Sequence, residues 1–370
     1  VAPETEYDLR KIMDRKDIDA VVVATPNHWH ALATIWACQA GKHVFVEKPC
    51  SHNIFEGRKM IEAARKYDRI VQVGFHNRSI ENVRQAMKAL HEGVIGDVYM
   101  ARGLCFKPRG SIGSYPDSET PNGVHYDIWL GPAPQRAFNK NRFHYNWHWN
   151  WAYGNGDIRN QGPHQFDIAR WGMNKNEHPI KIRSFGGYYA YESAQETANT
   201  QTATYEYADG KLLQFEVRGL FTNGESMLPS NAVTDKQWDT KIGNIFLGTK
   251  GWMAIDGGNW KTFLGNNNEP GPSNETAAKE LDALNLSGGG DMDHFANFIN
   301  ALRSGKKEDL TCDVHEGHMS TVLPHLANIS YRLGRELRFD GKNEKLISDG
   351  KANEMLTRKY RKSFIVPQNV

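Results

Sequence analysis

A lysine set between a glutamate and a proline at the end of an apolar strand, and a histidine bracketed by an asparagine and an aspartate, are the first places where this chain could do chemistry. Glu47-Lys48-Pro49 follows the run HVFV at 43–46. An ammonium there can project into a cleft and donate to a substrate oxygen; the competing reading is a solvated strand-end charge, the usual fate of a lysine. Residues 154–167, GNGDIRNQGPHQFD, put Asn160, His164 and Asp167 at spacings of four and three. On a helix those spacings stack all three on one face, so the flanking pair can orient or polarise an imidazole whose pKa lies near working pH. A local reading stands beside it: a helix N-terminus capped by Asn160 or Asp157, with His164 bonded to its neighbours.

The third feature is aromatic. FHYNWHWNWAY at 143–153 sets Trp147, Trp149 and Trp151 at alternate positions, with His144 and His148 among them. Indole faces beside polar groups suit stacking on the CH-rich face of a sugar, and they suit a core or a subunit contact equally well. The His28-Trp29-His30 triplet and the 144/148 pair have no companion carboxylates or cysteines that would complete a familiar metal set, so no metal is expected. No GxSxG elbow is present, and a serine-hydrolase mechanism has no support.

The elements that must position these residues read as follows. A helix over 5–15, a strand over 19–25, helix 27–40, strand 43–46, helix 53–67 and strand 70–74 form a βαβαβ pattern whose strands are continuous apolar runs, as in a parallel sheet buried on both faces. Each strand ends in a break rich in ligand-binding residue types: Thr25, Pro26 and Asn27, then Glu47, Lys48 and Pro49, then Phe75, His76 and Asn77. In a doubly wound sheet those breaks share the carboxyl edge, where ligands bind. After a helix at 79–91 and a strand at 94–107 comes an irregular stretch, 108–160, dense in Pro, Gly, Asn, His and aromatics, then a helix at 162–173.

From 180 to 256 strands and turns predict an antiparallel sheet, with Asp209-Gly210 between TATYEY and KLLQFEV giving a hairpin, and a turn at Gly248–Gly251 between strands 243–247 and 252–256. A loop over 265–275, helices at 291–304 and 313–334 and a weakly specified polar tail complete the chain. The expected fold is α/β plus α+β: a partial Rossmann-type domain over 1–90 and a larger, mostly antiparallel sheet domain with flanking helices over 91–370.

Composition excludes other classes. The 370 residues carry 45 Lys+Arg against 43 Asp+Glu, a formal charge of +2, so no basic field for nucleic acid or an anionic membrane surface exists. No run of 18 apolar residues occurs, so no membrane-spanning helix is expected. The four cysteines, Cys38, Cys50, Cys105 and Cys312, show no CxxC spacing and read as free thiols of a reducing compartment. The expected compartment is the cytoplasm, with a periplasmic or exported location left open because the chain opens on Val1.

AVVVATPNHWHALATIWACQAGKHVFVEKP (20–49), IVQVGF (70–75), GNGDIRNQGPHQFDIARWG (154–172) and HLANISYRLGREL (325–337) together resemble the Gfo/Idh/MocA oxidoreductase family. The resemblance implies a Rossmann domain for NAD or NADP, a second domain whose large sheet supports a homodimer or homotetramer, and hydride transfer at a hydroxyl or carbonyl carbon of a sugar, glycoside or polyol. It assigns Thr25, Pro26, Asn27, His30, Glu47, Lys48 and Pro49 to the cofactor. It makes Lys48 and His164 the catalytic pair, with Asn160 beside them. Asn77, Arg78, Trp147, Trp149, Asp157, Asn160 and Asp167 are the expected substrate contacts.

Two departures from the family pattern stand out. Many members have an aspartate four residues before the histidine, where this chain has Asn160, which carries no charge and accepts no proton. The glycine-rich GxGxxG turn and the acidic reader of the ribose do not occur in the 370 residues. The reading is therefore a Rossmann domain lacking its first part, with the NAD versus NADP choice unreadable and cofactor binding by this stretch weak or absent. Two alternatives stay open: a glycosidase that oxidises its sugar transiently and eliminates the aglycone, and a non-catalytic sugar-binding scaffold.

Overall fold

The computed structural model describes residues 4–225, 242–276 and 293–370. The first helix, α1 (Leu9–Asp14), is shorter than the expected 5–15 because Asp8 caps it, its side chain accepting from the Arg10 amide. Strands β1 (Ala20–Val23), β2 (His43–Val46) and β3 (Val71–Val73) then pair in parallel in that order, with Val23 opposite Val46 and Val46 opposite Val73. Helices α2 (Asn27–Gln39) and α3 (Ile54–Lys66) make the crossovers and pack on each other. Val44, Val46, Val71 and Val73 are fully buried as a result, which is why these strands carry no polar alternation. On β2, Phe45 is stacked on Phe295 of the helix His294–Ser304 at 4.2 Å between ring centres.

Helix α4 (Glu81–His91) hands the chain to β4 (Val98–Cys105), which enters a second sheet of ten strands. The others are β5 (Lys181–Gly187), β6 (Thr200–Glu206), β7 (Leu212–Arg218), β8 (Ile242–Gly248), β9 (Gly251–Asp256), β10 (Asn259–Leu264), β11 (Glu269–Ser273), β12 (Leu337–Asp340) and β13 (Lys345–Leu346). Their order is β11-β10-β9-β8-β4-β7-β6-β5-β12-β13. The expected Asp209-Gly210 hairpin joins β6 to β7, Gly210 taking φ +81°, and the turn after Gly248 joins β8 to β9. Within this antiparallel frame one pair is parallel: β4 lies between β7 and β8 and runs with β7.

Strict alternation along β6 and β7 leaves one face covered and the other half-exposed. The cover is α7 (Gly162–Gly172) and the long helix Val314–Leu333, which pack on the sheet and on each other. Before α7, residues 108–160 are irregular, as expected, with two short helices, α5 (Tyr126–Leu130) and α6 (Asp157–Asn160), and 3₁₀ turns at Lys140–Arg142 and His144–Trp149.

Two expectations are corrected. The 265–275 loop is a turn followed by β11, whose Pro270 and Pro272 are tolerated because β11 is the outermost strand of the sheet. The tail is not weakly specified: Phe364 and Val366 are buried, and Phe364 meets Trp29 edge-on at 5.4 Å. The expected helix 291–304 is described from His294, its first residues lying outside the described ones. All four cysteines are free and buried. No helix among the described residues is long and apolar enough to cross a membrane.

Candidate active site

The three breaks after β1, β2 and β3 meet at the carboxyl edge of the parallel sheet, because parallel strands necessarily end on the same side. Thr25 is exposed there, Pro26 half-buried, and Asn27 opens α2. His30, one turn into α2, spans two of the breaks: Nδ1 lies 2.7 Å from the Pro49 carbonyl and Nε2 2.7 Å from the Thr25 carbonyl. Both ring nitrogens are engaged, so His30 holds the two loops together and offers nothing directly to a cofactor. The Lys48-Pro49 peptide is cis.

Glu47 and Lys48 are half-buried and point to different partners. The Glu47 carboxylate lies 3.3 Å from His76 Nε2 and accepts from the Lys48 amide at 3.2 Å. Burial pushes its pKa up, but His76 and Lys48 outweigh that and hold it below the usual carboxylate value. Lys48 Nζ donates to the Asn160 backbone carbonyl at 2.7 Å, across 112 residues of chain. Burial is the main cause holding its pKa below that of a free lysine, with Lys107 adding repulsion and Glu47 and Asp157 opposing.

The other side of the cleft is built by α6 and α7. Asn160 Nδ2 donates to the Tyr145 hydroxyl at 3.1 Å and lies 3.5 Å from Asp157. Asp157 is gripped by Arg109 through two bonds of 2.9 and 2.7 Å, and the Arg109 guanidinium also stands over the Trp149 ring at 5.2 Å. His164 sits two residues into α7 after Pro163, with its ring edge-on to Phe75. Its Nδ1 is buried with no partner, and no hydrogen bond engages Nε2 among the described residues. Burial first and the Lys48 charge second bring the His164 pKa down to about 3, so the ring is neutral and in its acceptor form at neutral pH.

Several expected contacts are corrected by this geometry. Arg78 and Asp167 face each other in the interior, joined by bonds of 2.8 and 2.9 Å, with side chains 9% and 1% exposed, and Ser320 Oγ donates to Asp167 at 2.6 Å. So buried and so bonded, they fasten α7 to the turn after β3 and to the long helix. The three tryptophans do not form one platform. In a 3₁₀ turn positions two apart face different ways: Trp147 stacks on His148 at 3.6 Å, Trp149 lies buried under Arg109, and Trp151 carries Arg332 at 4.9 Å. Asn77 is half-buried in the turn after β3.

Arg109 and Tyr145 stand beside these residues and were not read from the sequence, whereas His76 was, in the break after the third strand. The available signals were weak: Arg109 follows the end of a strand, as Lys48 does, and Tyr145 sits inside the aromatic run. Away from the cleft, His178, His318 and Glu344 bring one ligand atom each within 4.8 Å of the others, a grouping that could hold a metal ion. Arg58 pairs with the same carboxylate, and His318 Nε2 lies 2.6 Å from it, so the cluster is already neutralised from within.

The fold and this cleft define a class. The family model described as the NAD-binding Rossmann fold of the oxidoreductase family matches residues 3–75, and the C-terminal alpha/beta domain model of the same family matches residues 103–223 and 284–366. The chain belongs to the Gfo/Idh/MocA oxidoreductase family. Among curated relatives it is 40% identical over 96 residues to levoglucosan dehydrogenase of Pseudarthrobacter phenanthrenivorans, and 34% identical over 95 residues to myo-inositol 2-dehydrogenase of Thermotoga maritima. Each match takes in 26% of this chain, and the chain spans only 25% and 28% of the length of those two relatives. Among solved structures, the WlbA dehydrogenase of Chromobacterium violaceum with NADH and UDP-GlcNAcA superposes with a TM-score of 0.63 at 21% identity, over 90% of this chain and 81% of that one. Levoglucosan dehydrogenase with NADH and levoglucosan gives 0.61 at 18%, over 90% and 82%. At these identities the superpositions show the shared fold.

Proposed function

We propose that this chain carries out NAD(P)-dependent hydride transfer at a hydroxyl or carbonyl carbon of a sugar, glycoside or polyol, with residues 1–90 as the cofactor half and 91–370 as the substrate half. The observation that carries the proposal is the pairing, at the carboxyl edge of an NAD-binding Rossmann sheet, of a half-buried lysine with a neutral histidine whose Nε2 no hydrogen bond engages among the described residues. The names of the relatives, sugar and inositol dehydrogenases, support it.

The donors at this edge fit a nicotinamide nucleotide: exposed Thr25, the Glu47 carboxylate and the Lys48 ammonium supply hydroxyl, acceptor and donor for a ribose and a carboxamide. When bound, the cofactor supplies the hydride donor or acceptor. The protein's part is proton and charge management. One Lys48 proton is held by the Asn160 carbonyl, which aims the ammonium and leaves two N–H groups for the substrate oxygen, where they stabilise developing negative charge. His164 Nε2 takes the hydroxyl proton in oxidation and returns it in reduction. Asn160, tied to Tyr145 and Asp157, positions the substrate through its amide oxygen. The half-exposed face of the large sheet is the proposed contact of a homo-oligomer.

Lys48→Met and His164→Gln, each made in the full protein, are expected to lower kcat/KM by about a hundredfold, roughly 2.7 kcal/mol of transition-state stabilisation. Reduced-cofactor absorbance and aglycone release are followed together on sugars and aryl glycosides. Rates within about threefold of the unsubstituted protein remove the two residues from the acid/base role. Aglycone release without net cofactor reduction replaces the dehydrogenase by a redox-assisted glycosidase.

A further inference from the structure

A second cleft, of about 300 Å³, opens elsewhere and shares no lining residue with the Lys48, Asn160 and His164 site. That volume sits at the low end of small-molecule sites. Its floor is made by His52 and His325, 7% and 6% exposed, and its rim by Arg136, Arg332 and Arg358. Within it stand polar atoms that the protein does not satisfy. Both ring nitrogens of His52 and Nε2 of His325 are buried without a hydrogen-bond partner. Each such atom carries an uncompensated desolvation cost if nothing fills its place.

The charges around the cleft are unequal. Arg332 lies over the Trp151 ring and has no ion pair or hydrogen bond among the described residues. Arg136 is shared with Glu196 at 3.4 Å, and Arg358 Nε is 3.5 Å from Glu56, while Glu354 is the acidic residue of the lining. Burial keeps both histidines well below their usual pKa, so His52 offers one N–H donor and one acceptor nitrogen, whereas His325, bonded to the Ser51 backbone, offers its Nε2. Backbone contacts fix the floor: Arg159, itself fully buried, donates to the His52 carbonyl at 3.1 Å and bonds the Ser51 carbonyl, and Asn328 Nδ2 donates to the Asn155 carbonyl at 3.0 Å.

We propose that this cleft is a binding site for a small hydroxylated oxyanion, a sugar-sized molecule bearing a carboxylate or a phosphate ester. The anionic end meets Arg332 through charge-assisted bonds, with Arg358, held by Glu56 and the Ala152 and His28 carbonyls, adding positive charge nearby, and hydroxyls answer both ring nitrogens of His52 and Nε2 of His325. An inorganic ion alone would leave the acceptor nitrogens unmet, and a neutral sugar would leave Arg332 unpaired. The site stands independently of the proposed redox activity.

The test is isothermal titration of the full chain, at constant ionic strength, with gluconate in one arm and glucose 6-phosphate in the other. Saturable one-site binding in either arm, weakened at least about tenfold by Arg332→Gln and unchanged by Lys48→Met, supports the site, and the arm that binds tells carboxylate from phosphate. Arg332 is exposed, so its substitution leaves folding intact; His52→Leu, in the floor, is expected to abolish the binding if that variant folds. Absence of saturable heat in both arms means water alone fills the cleft and overturns the proposal. Equal affinity in Arg332→Gln, or loss in Lys48→Met, overturns it as well, the latter by moving the ligand to the other cleft.

Discussion

Removing the Asp167 carboxylate strands a buried guanidinium. Arg78 holds its charge inside the protein only because Asp167 accepts two of its bonds at 2.8 and 2.9 Å; its remaining acidic neighbour, Glu316, is 3.4 Å away and shared with Arg170. Burial opposes the charge, and Asp167 more than compensates, holding the Arg78 pKa above the usual value. Breaking one side of so buried a pair costs about 3–5 kcal/mol. For a chain of 370 residues, whose unfolding entropy is roughly 2.1 cal/mol/K per residue, Asp167→Ala should therefore lower Tm by roughly 4–6 °C. Arg78→Met with Asp167→Leu, which removes both charges and keeps the volume, should recover most of that loss. Denaturant unfolding followed by tryptophan fluorescence gives both quantities. A loss below about 1 kcal/mol in Asp167→Ala, accompanied by a raised KM, would refute the reasoning by putting the carboxylate in the substrate's path.

Stability should fall on acidification below about pH 6.5. His28, lowered to about 3, and His52, His318 and His325 are buried neutral, burial being the first cause for each. Their folded pKa values lie below the unfolded 6.5, so the unfolded chain binds more protons in between. The contribution is full above about pH 6.5 and shrinks as pH drops, by up to roughly 1.4 kcal/mol per unit for each ring. Unfolding free energies that stay level between about pH 7 and about pH 5 contradict it. In the loop beside the catalytic cleft, a Cβ at Gly154 would fall 2.1 Å from the His148 carbonyl oxygen, which already accepts from Asn155 and Gly156. Gly154→Ala is expected to lose about 2–3 kcal/mol and to displace α6; a variant with unchanged melting and kinetics argues against that tight crossing.

What could be read from the residues was local or repeated. The apolar runs at 43–46 and 71–73 read as strands of a parallel sheet covered on both sides, and with the strand at 20–23, whose Val22 is exposed, that arrangement brings Thr25, Glu47, Lys48 and His76 to one edge. The Asp209-Gly210 hairpin follows from two residues. Contacts between distant residues left no mark. Arg78 and Asp167 are 89 positions apart and Arg109 and Asp157 are 48 apart, so each reads alone as a polar residue near a ligand. The seat of β4 beside β7 depends on partners more than a hundred residues away. The strands β11, β12 and β13 are short or contain proline, and pairing at the sheet margins decides them more than their own composition does.

The order in which this chain is made also matters. Residues 20–73 form a sheet made well before residues 312–366, yet its β3 edge is completed by a bridge from Gln72 to Asp313, and its core includes Cys312, Val314, Phe364 and Val366. The long helix that begins at Val314 belongs at its other end to the core of the ten-stranded sheet, through Leu326 and Ile329. The parallel sheet is thus sealed by residues synthesised long after it. A nascent chain must hold those apolar surfaces open until residues 312–366 are made, and in such a protein losses around Phe364 reach the edge of the parallel sheet, because Phe364 rests on the helix that begins at Asn27.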